Sequence, residues 1–416
     1  MLAGALLSVA AHGGQALTLD DYYAAALQRS EVIATQSELI RQAEERYQQA
    51  SAALRPTVDG VASYTWIDSG ARDTTANPTR QPHARIAATQ PLFRGFRELA
   101  TIRQTQALVG AQQDDYHNAR VQLFKDVVRN FYDVVSIERD LVNLEEQINQ
   151  NLQREQELQA RVRIGRSRVG EVLTVQARIS TLRAEIEQLN AQLSVARDVF
   201  AFQSGRLATT ALRDAEALPN DIDGLDRYLE RVAVRPDVKA ARARLKATEE
   251  NITVARGGHL PSLDLNANRY LERTGNLENV DWDVQLALTI PLYAGGSVNS
   301  QVREAVSQNT QAELEVSRVQ RLADQEIRSL HQTVLLDRKQ LQALETAAQA
   351  AKKNYETQQR DYKLGLVTNL DVLQALTSYQ ENLRALDRAR YTAKVNFLRL
   401  EAATVRYPAI ATENVP

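Results

Sequence analysis

Between Pro261 and Leu271 apolar and polar residues alternate, with Leu263, Leu265, Ala267 and Leu271 on one face and Ser262, Asp264, Asn266 and Asn268 on the other. The run Trp282, Val284, Leu286, Leu288, Ile290 and Leu292 repeats the pattern, separated by residues such as Asp283, Gln285 and Thr289. A period of two predicts strands with one apolar face. About ten such residues suit a tilted membrane-spanning strand, and equally a sheet half-buried against a helix. A weaker pair comes earlier, with Val58, Ala62, Tyr64 and Trp66 on its first strand and Ile86, Ala88 and Leu92 on its second. Polar loops, 68–80 and 272–281, join the members of each pair, giving hairpins at 55–93 and 261–292. The remaining long stretches follow a helical period. From Phe96 to Ile164 there is no Pro and the one Gly is Gly110, so a helix of roughly 69 residues, about 100 Å long, is permitted. Past Gly165, the residues Val172, Val175, Ile179, Leu182, Ile186, Leu189 and Leu193 keep a heptad, as do Leu376, Tyr379, Leu383 and Leu386 past Gly365. Such helices require coiled-coil partners.

The same order of elements occurs twice. Leu19-Asp20-Asp21-Tyr22 returns as Leu225-Asp226-Arg227-Tyr228, and Arg29-Ser30-Glu31-Val32 as Arg235-Pro236-Asp237-Val238. Leu54-Arg55-Pro56 returns as His259-Leu260-Pro261, Pro91-Leu92-Phe93-Arg94-Gly95 as Pro291-Leu292-Tyr293-Ala294-Gly295, and Gly165 through Leu173 as Gly365 through Leu373. Each copy, 17–207 and 225–407, predicts a helix, a β-hairpin and a long helical hairpin whose tip lies at Gly165 or Gly365. Residues 208–224, with Pro219, Asn220 and Gly224, read as a linker, and 408–416 as a flexible tail. Residues 1–16 are short, apolar and end in small residues, as the remnant of a secretory signal would.

Composition narrows the function. The 416 residues carry 50 basic and 52 acidic side chains, a net charge of -2, so bulk charge offers nothing to nucleic acid. Seventeen Gly and ten Pro are few for this length and agree with long uninterrupted elements. No apolar run approaches the roughly 18 residues of a spanning helix, which excludes a helical membrane bundle but not a β-barrel. The absence of cysteine removes disulfides, thiolate metal sites and thiol catalysis. His12, His83, His117, His259 and His331 show no metal-ligand spacing, and no hydrolase, phosphate-loop or calcium-loop motif occurs. No cofactor, metal or catalytic activity is expected. Gly257-Gly258 and Gly295-Gly296 fall at helix–strand junctions, where they turn the chain.

The two tryptophans, Trp66 and Trp282, stand beside the hairpin loops, where an aromatic girdle would sit. Four strands are too few to close a barrel, and open edges do not survive in lipid. A membrane reading therefore requires several copies of the chain, two giving eight strands and three giving twelve. The alternative is a soluble or surface-attached structural coiled-coil protein.

Arg235-Pro236-Asp237, Leu260-Pro261-Ser262-Leu263, Pro291-Leu292-Tyr293-Ala294-Gly295-Gly296, Val298-Asn299-Ser300-Gln301-Val302 and Leu364-Gly365-Leu366-Val367-Thr368-Asn369-Leu370-Asp371-Val372-Leu373, in this order and with the duplication, resemble the TolC-type outer-membrane efflux proteins over Leu17 to Tyr407. The resemblance implies a mixed α and β fold and a homotrimer. Each chain would give four strands to a shared twelve-stranded outer-membrane barrel that continues into a periplasmic α-barrel of long helices. It implies a passive exit duct of a tripartite efflux pump or type I secretion system, partnered by a periplasmic adaptor and an inner-membrane transporter of the RND or ABC class.

For individual residues, the resemblance implies tip glycines at Gly165 and Gly365 and acidic positions six residues later, Glu171 and Asp371. Three copies of Asp371, with Glu171 and next to Tyr362, are then the candidates for a narrow periplasmic aperture; a helix-start carboxylate facing the dipole is the plainer role for Asp371. Gln374 stands where some relatives carry a second acid, and Val367 where some carry an arginine that braces the closed state. The tips Gly165, Arg166, Arg168 and Gly365, Leu366, Val367 are the candidate adaptor-docking points. Arg161, Arg163, Arg166 and Arg168 make the first tip basic, which suits either an acidic partner or simple solvation at a helix C-terminus.

Overall fold

The structure is a computed structural model that describes residues 16–68, 79–274 and 277–407. The expected signal remnant, apart from Ala16, and the expected tail lie outside these residues. The described elements are α1 (Leu19–Arg29), α2 (Glu31–Ala52), β1 (Thr57–Trp66), β2 (Arg80–Arg94), α3 (Arg97–Arg163), α4 (Val169–Ser204), α5 (Leu225–Leu229), α6 (Pro236–Arg256), β3 (Ser262–Glu272), β4 (Trp282–Thr289), α7 (Ser297–Lys363) and α8 (Asn369–Ala403). The two long helices α3 and α7 each have 67 residues, close to the length that the Pro-free stretch permits.

Packing divides the chain into two units, and the division cuts across the sequence repeats. One unit gathers Ala34–His117 and Pro236–Arg321; the other gathers the segment up to Ile33 with Asn118–Arg235 and the residues from Leu322 onward. Each unit thus takes matching pieces from both copies.

The first unit holds a single antiparallel sheet in the order β1-β2-β3-β4. Paired residues in an antiparallel ladder share a face. The register therefore aligns Val58, Ala88, Ala267 and Val284 in one row, and Gly60, Ile86, Arg269 and Trp282 in the next. Leu265 with Leu286 and Leu263 with Leu288 extend the same face. Pro91 lies at an irregularity of β2, between Pro91 and Phe93, where a residue without an N–H is tolerated. β4 stops at Thr289, short of the strand expected to reach Leu292. Its pairing with β3 ends at Ser262, and among the described residues nothing pairs with its other side to carry it further. Both β1 and β4 are edges.

The second copy joins the first at two glycines of this unit. A Cβ on Gly95 would stand 2.5 Å from the Gly257 carbonyl oxygen, and one on Gly257 would stand 2.6 Å from that of Gly95. Gly95 also has φ 67°, which favours glycine. These residues turn the chain between helix and strand, as their sequence positions suggest.

In the other unit Tyr22, Tyr23, Phe124, Phe131, Phe200, Leu398 and Ala402 form the largest core. Tyr228, Ile327, Val334 and Leu400 form a second, and Leu158, Val172, Val175 and Ile179 fill the α3–α4 seam. Full burial of each aromatic or aliphatic side chain contributes about 1.5–3 kcal/mol. The stretch expected as a linker is bonded along its length. Leu17 exchanges backbone hydrogen bonds with Ala211 and Arg213, and Asp214 accepts from Tyr132 at 3.0 Å and from Lys394 at 2.5 Å.

Candidate functional site

The tips end α3 and α7 with the same hydrogen-bond motif. At the first, the Gly165 N–H donates to the Val162 carbonyl at 2.9 Å and the Arg166 N–H to Arg161 at 2.8 Å; at the second, Gly365 donates to Tyr362 at 3.1 Å and Leu366 to Asp361 at 3.0 Å. This pair of bonds needs a left-handed residue, and Gly165 and Gly365 supply it with φ 69° and 76°.

The returning helices start differently. Thr368 caps α8 in a reciprocal box with Asp371, whose carboxylate accepts from the Thr368 N–H at 2.8 Å and from its hydroxyl at 2.6 Å. Those bonds from Thr368 hold the exposed Asp371 carboxyl below the usual carboxylate range, so it is charged at neutral pH. At the matching position α4 has Arg168, which makes no side-chain cap; Glu171 instead accepts from the Ser167 hydroxyl at 2.6 Å and is half-buried. Gln374, Arg166, Arg168 and Leu366 are exposed, and Val367 is half-buried.

Tyr362, expected beside an aperture, is buried within the chain. Its ring lies between two guanidiniums, Arg154 at 4.2 Å and Arg161 at 4.5 Å from the centroid. Arg154 also donates to the side-chain oxygen of Asn369 through Nε at 2.8 Å and Nη2 at 2.5 Å. One arginine of the first helical hairpin thus holds both ends of the second hairpin's turn. Arg154 was not singled out by sequence, although a signal existed: Asp140, Asn143, Gln147, Asn151 and Arg154 recur at spacings of three and four and are all buried. They form a polar seam between α3 and α8. There Arg384 grips Asp140 with Nε at 2.6 Å and Nη2 at 3.0 Å and reaches Glu185 of α4 at 3.0 Å, while Asp387 accepts from Arg139 and Asn143, each at 3.0 Å.

The sheet of the other unit has two unlike faces. On the polar one, Arg94 pairs with Asp264 at 2.9 Å, Thr89 donates to Asn266 at 3.0 Å, and Asn268 and Tyr270 donate to Asp283 at 2.9 and 2.6 Å. The apolar face is bare: among the described residues no helix packs along it, and Trp66, Val284 and Leu288 are 71%, 56% and 61% exposed. Trp66 and Trp282 share that face at its loop end. The reading of the strands as a sheet packed against the chain's own interior is thereby excluded.

A sheet that is wet on one side, apolar and uncovered on the other, and open at both edges is a wall segment of a membrane channel. The outer membrane efflux protein family model matches residues 22–201 and 230–405. The chain belongs to the outer membrane efflux protein family. Among its relatives are outer membrane protein TolC of Escherichia coli, 23% identical over 377 residues that span 86% of this chain and 76% of that one, and outer membrane efflux protein BepC of Brucella suis, 25% identical over 86% of this chain and 79% of that one. The fold matches the outer membrane protein VceC from Vibrio cholerae with a TM-score of 0.80 at 18% identity, covering 93% of this chain and 95% of that one. The fold is the TolC-type channel fold, the location is the outer membrane, and the role is that of an efflux duct; the family consists of channel proteins rather than enzymes.

Proposed function

We propose that three copies of the chain pool their strands into a twelve-stranded barrel. Through it drugs, small molecules or proteins leave passively, driven by an RND or ABC transporter of the inner membrane that is met through a periplasmic adaptor. The chain performs no catalysis in this role. The observation that carries the reading is the four-stranded sheet with a bare apolar face and two unpaired edges. The joint between β2 and β3 supports the same conclusion. It already links one sequence copy to the other, with Gly95 against Gly257, whereas Gly295, the repeat mate of Gly95, has open space around it at φ 61°. An equivalent joint between β4 of one chain and β1 of the next continues the wall and gives Gly295 its neighbour.

In the trimer, three Asp371 carboxylates and the adjacent Gln374 form the rim of the aperture. Glu171 and Tyr362 act behind it by holding the tips, and the exposed tip residues meet the adaptor. The test is fractionation followed by reconstitution. Outer-membrane, detergent-dependent, trimer-sized particles that form ion-conducting pores in planar bilayers are expected, and a soluble monomer or dimer without conductance refutes the reading.

A further inference from the structure

Among the described strand residues the outward face of the sheet carries two arginines, and both stand at its loop end. Arg80 pairs with Trp66, and Arg269 with Trp282. All four side chains are exposed. Along the same face toward the helices the residues are Val58, Ala88, Ala267, Val284, Leu286 and Leu288. Arg94, facing inward, is held by Asp264 at 2.9 Å. Arg269, facing outward, has only Asp281 at 3.6 Å, with both partners more than half exposed, and among the described residues Arg80 has no ion pair. An exposed pair at that distance is worth little.

An arginine is costly against hydrocarbon and tolerated at the interface, where tryptophan also gathers. A guanidinium there, beside an amphipathic ring and with at most a distant, exposed carboxylate, fits a phosphate in bidentate geometry. The helices leave the sheet from the ends of the strands away from the loops: α2 leads into β1, β2 into α3, α6 into β3 and β4 into α7. The loop end is therefore at the outer rim of the barrel. We propose that Arg80 and Arg269, each opposite a tryptophan, bind the phosphates of anionic lipid headgroups in the surrounding leaflet. This rests on the membrane placement of the sheet and adds a ligand to it.

The test uses the full-length trimer reconstituted into vesicles of phosphatidylcholine alone, phosphatidylcholine doped with bisphosphorylated lipid A, or phosphatidylcholine doped with dephosphorylated lipid A. Thermal unfolding and retained lipid phosphorus are the readouts. Bisphosphorylated lipid A is expected to raise the unfolding temperature and to be retained. Affinity is expected to fall about fivefold for Arg80→Gln or Arg269→Gln and ~30-fold for the double variant. In pure phosphatidylcholine the variants should unfold as the parent does and keep its conductance, which separates loss of the lipid site from loss of the channel. Equal stabilisation by dephosphorylated lipid A, by inorganic phosphate alone, or of the double variant overturns the proposal. If the parent itself forms no pores, the membrane reading fails and takes this proposal with it, whereas a conducting parent that gains nothing from bisphosphorylated lipid A refutes the lipid site alone.

Discussion

Arg29 and Arg235, which occupy equivalent places in the two sequence copies, each cap the C-terminal end of a long helix: Arg29 Nε donates to the Phe202 carbonyl at 2.9 Å, and Arg235 Nη1 to the Ala403 carbonyl at 3.1 Å. The duplication is thus preserved at the level of single hydrogen bonds. The two copies differ in burial, because Arg29 is exposed while Arg235 is 6% exposed and also pairs with Glu326 at 2.8 Å. Arg235→Ala leaves the half-buried Glu326 with Lys125 alone and the Ala403 carbonyl without its donor, and is expected to cost about 2 kcal/mol. Arg29→Ala is expected to cost about 1 kcal/mol or less. Denaturant unfolding of the purified trimers distinguishes the two.

Asp140 lies between Arg384 and Arg388. Burial pushes its carboxyl up, but the hydrogen bonds and charges of the two arginines outweigh that and hold it below the usual carboxylate range. A depressed folded value contributes stability above the unfolded value, about pH 4, that is lost as pH falls through the lower folded value. The melting temperatures of the parent and Asp140→Asn should differ by a constant amount above about pH 4 and converge below it. A gap that widens on acidification contradicts this.

The aperture reading separates the charge of Asp371 from its cap. Asp371→Asn should lower the cation selectivity of the reconstituted pore while trimer yield stays unchanged. Thr368→Ala should loosen the start of α8 by about 1 kcal/mol and leave the charge in place. Reversal-potential measurements and hydrogen exchange at 368–372 report the two effects separately.

Tyr362 tests the clamp. Tyr362→Phe keeps a ring between Arg154 and Arg161 and should behave as the parent. Tyr362→Ala loses two cation–π contacts and should cost about 1–3 kcal/mol, with faster exchange at the second tip. Equal exchange in the two variants removes the clamp.

The basic first tip has its own test. Reversing Arg166 and Arg168 to Glu is expected to abolish efflux at unchanged trimer levels. Arg168 occupies the N-cap position where the second copy has a capping threonine, so an uncapped helix start accompanies the exposed charge. Unaltered efflux removes the docking role.

The sequence by itself determined everything that repeats with a local period: the alternation of strands around Trp66 and Trp282, the 67-residue helices, the turns at Gly165 and Gly365, and the duplication. Those features follow from side-chain direction and backbone freedom within a few residues, which neighbouring letters specify. Only the tertiary structure decided which faces remain bare and which distant residues meet. It drew each packing unit from both copies, set the end of β4 by the end of its partner, buried Tyr362 between Arg154 and Arg161, and put Arg80 and Arg269 beside tryptophans on the outward face. Such pairings depend on register between segments far apart in the chain. Local period leaves that register open until the strands and helices pack.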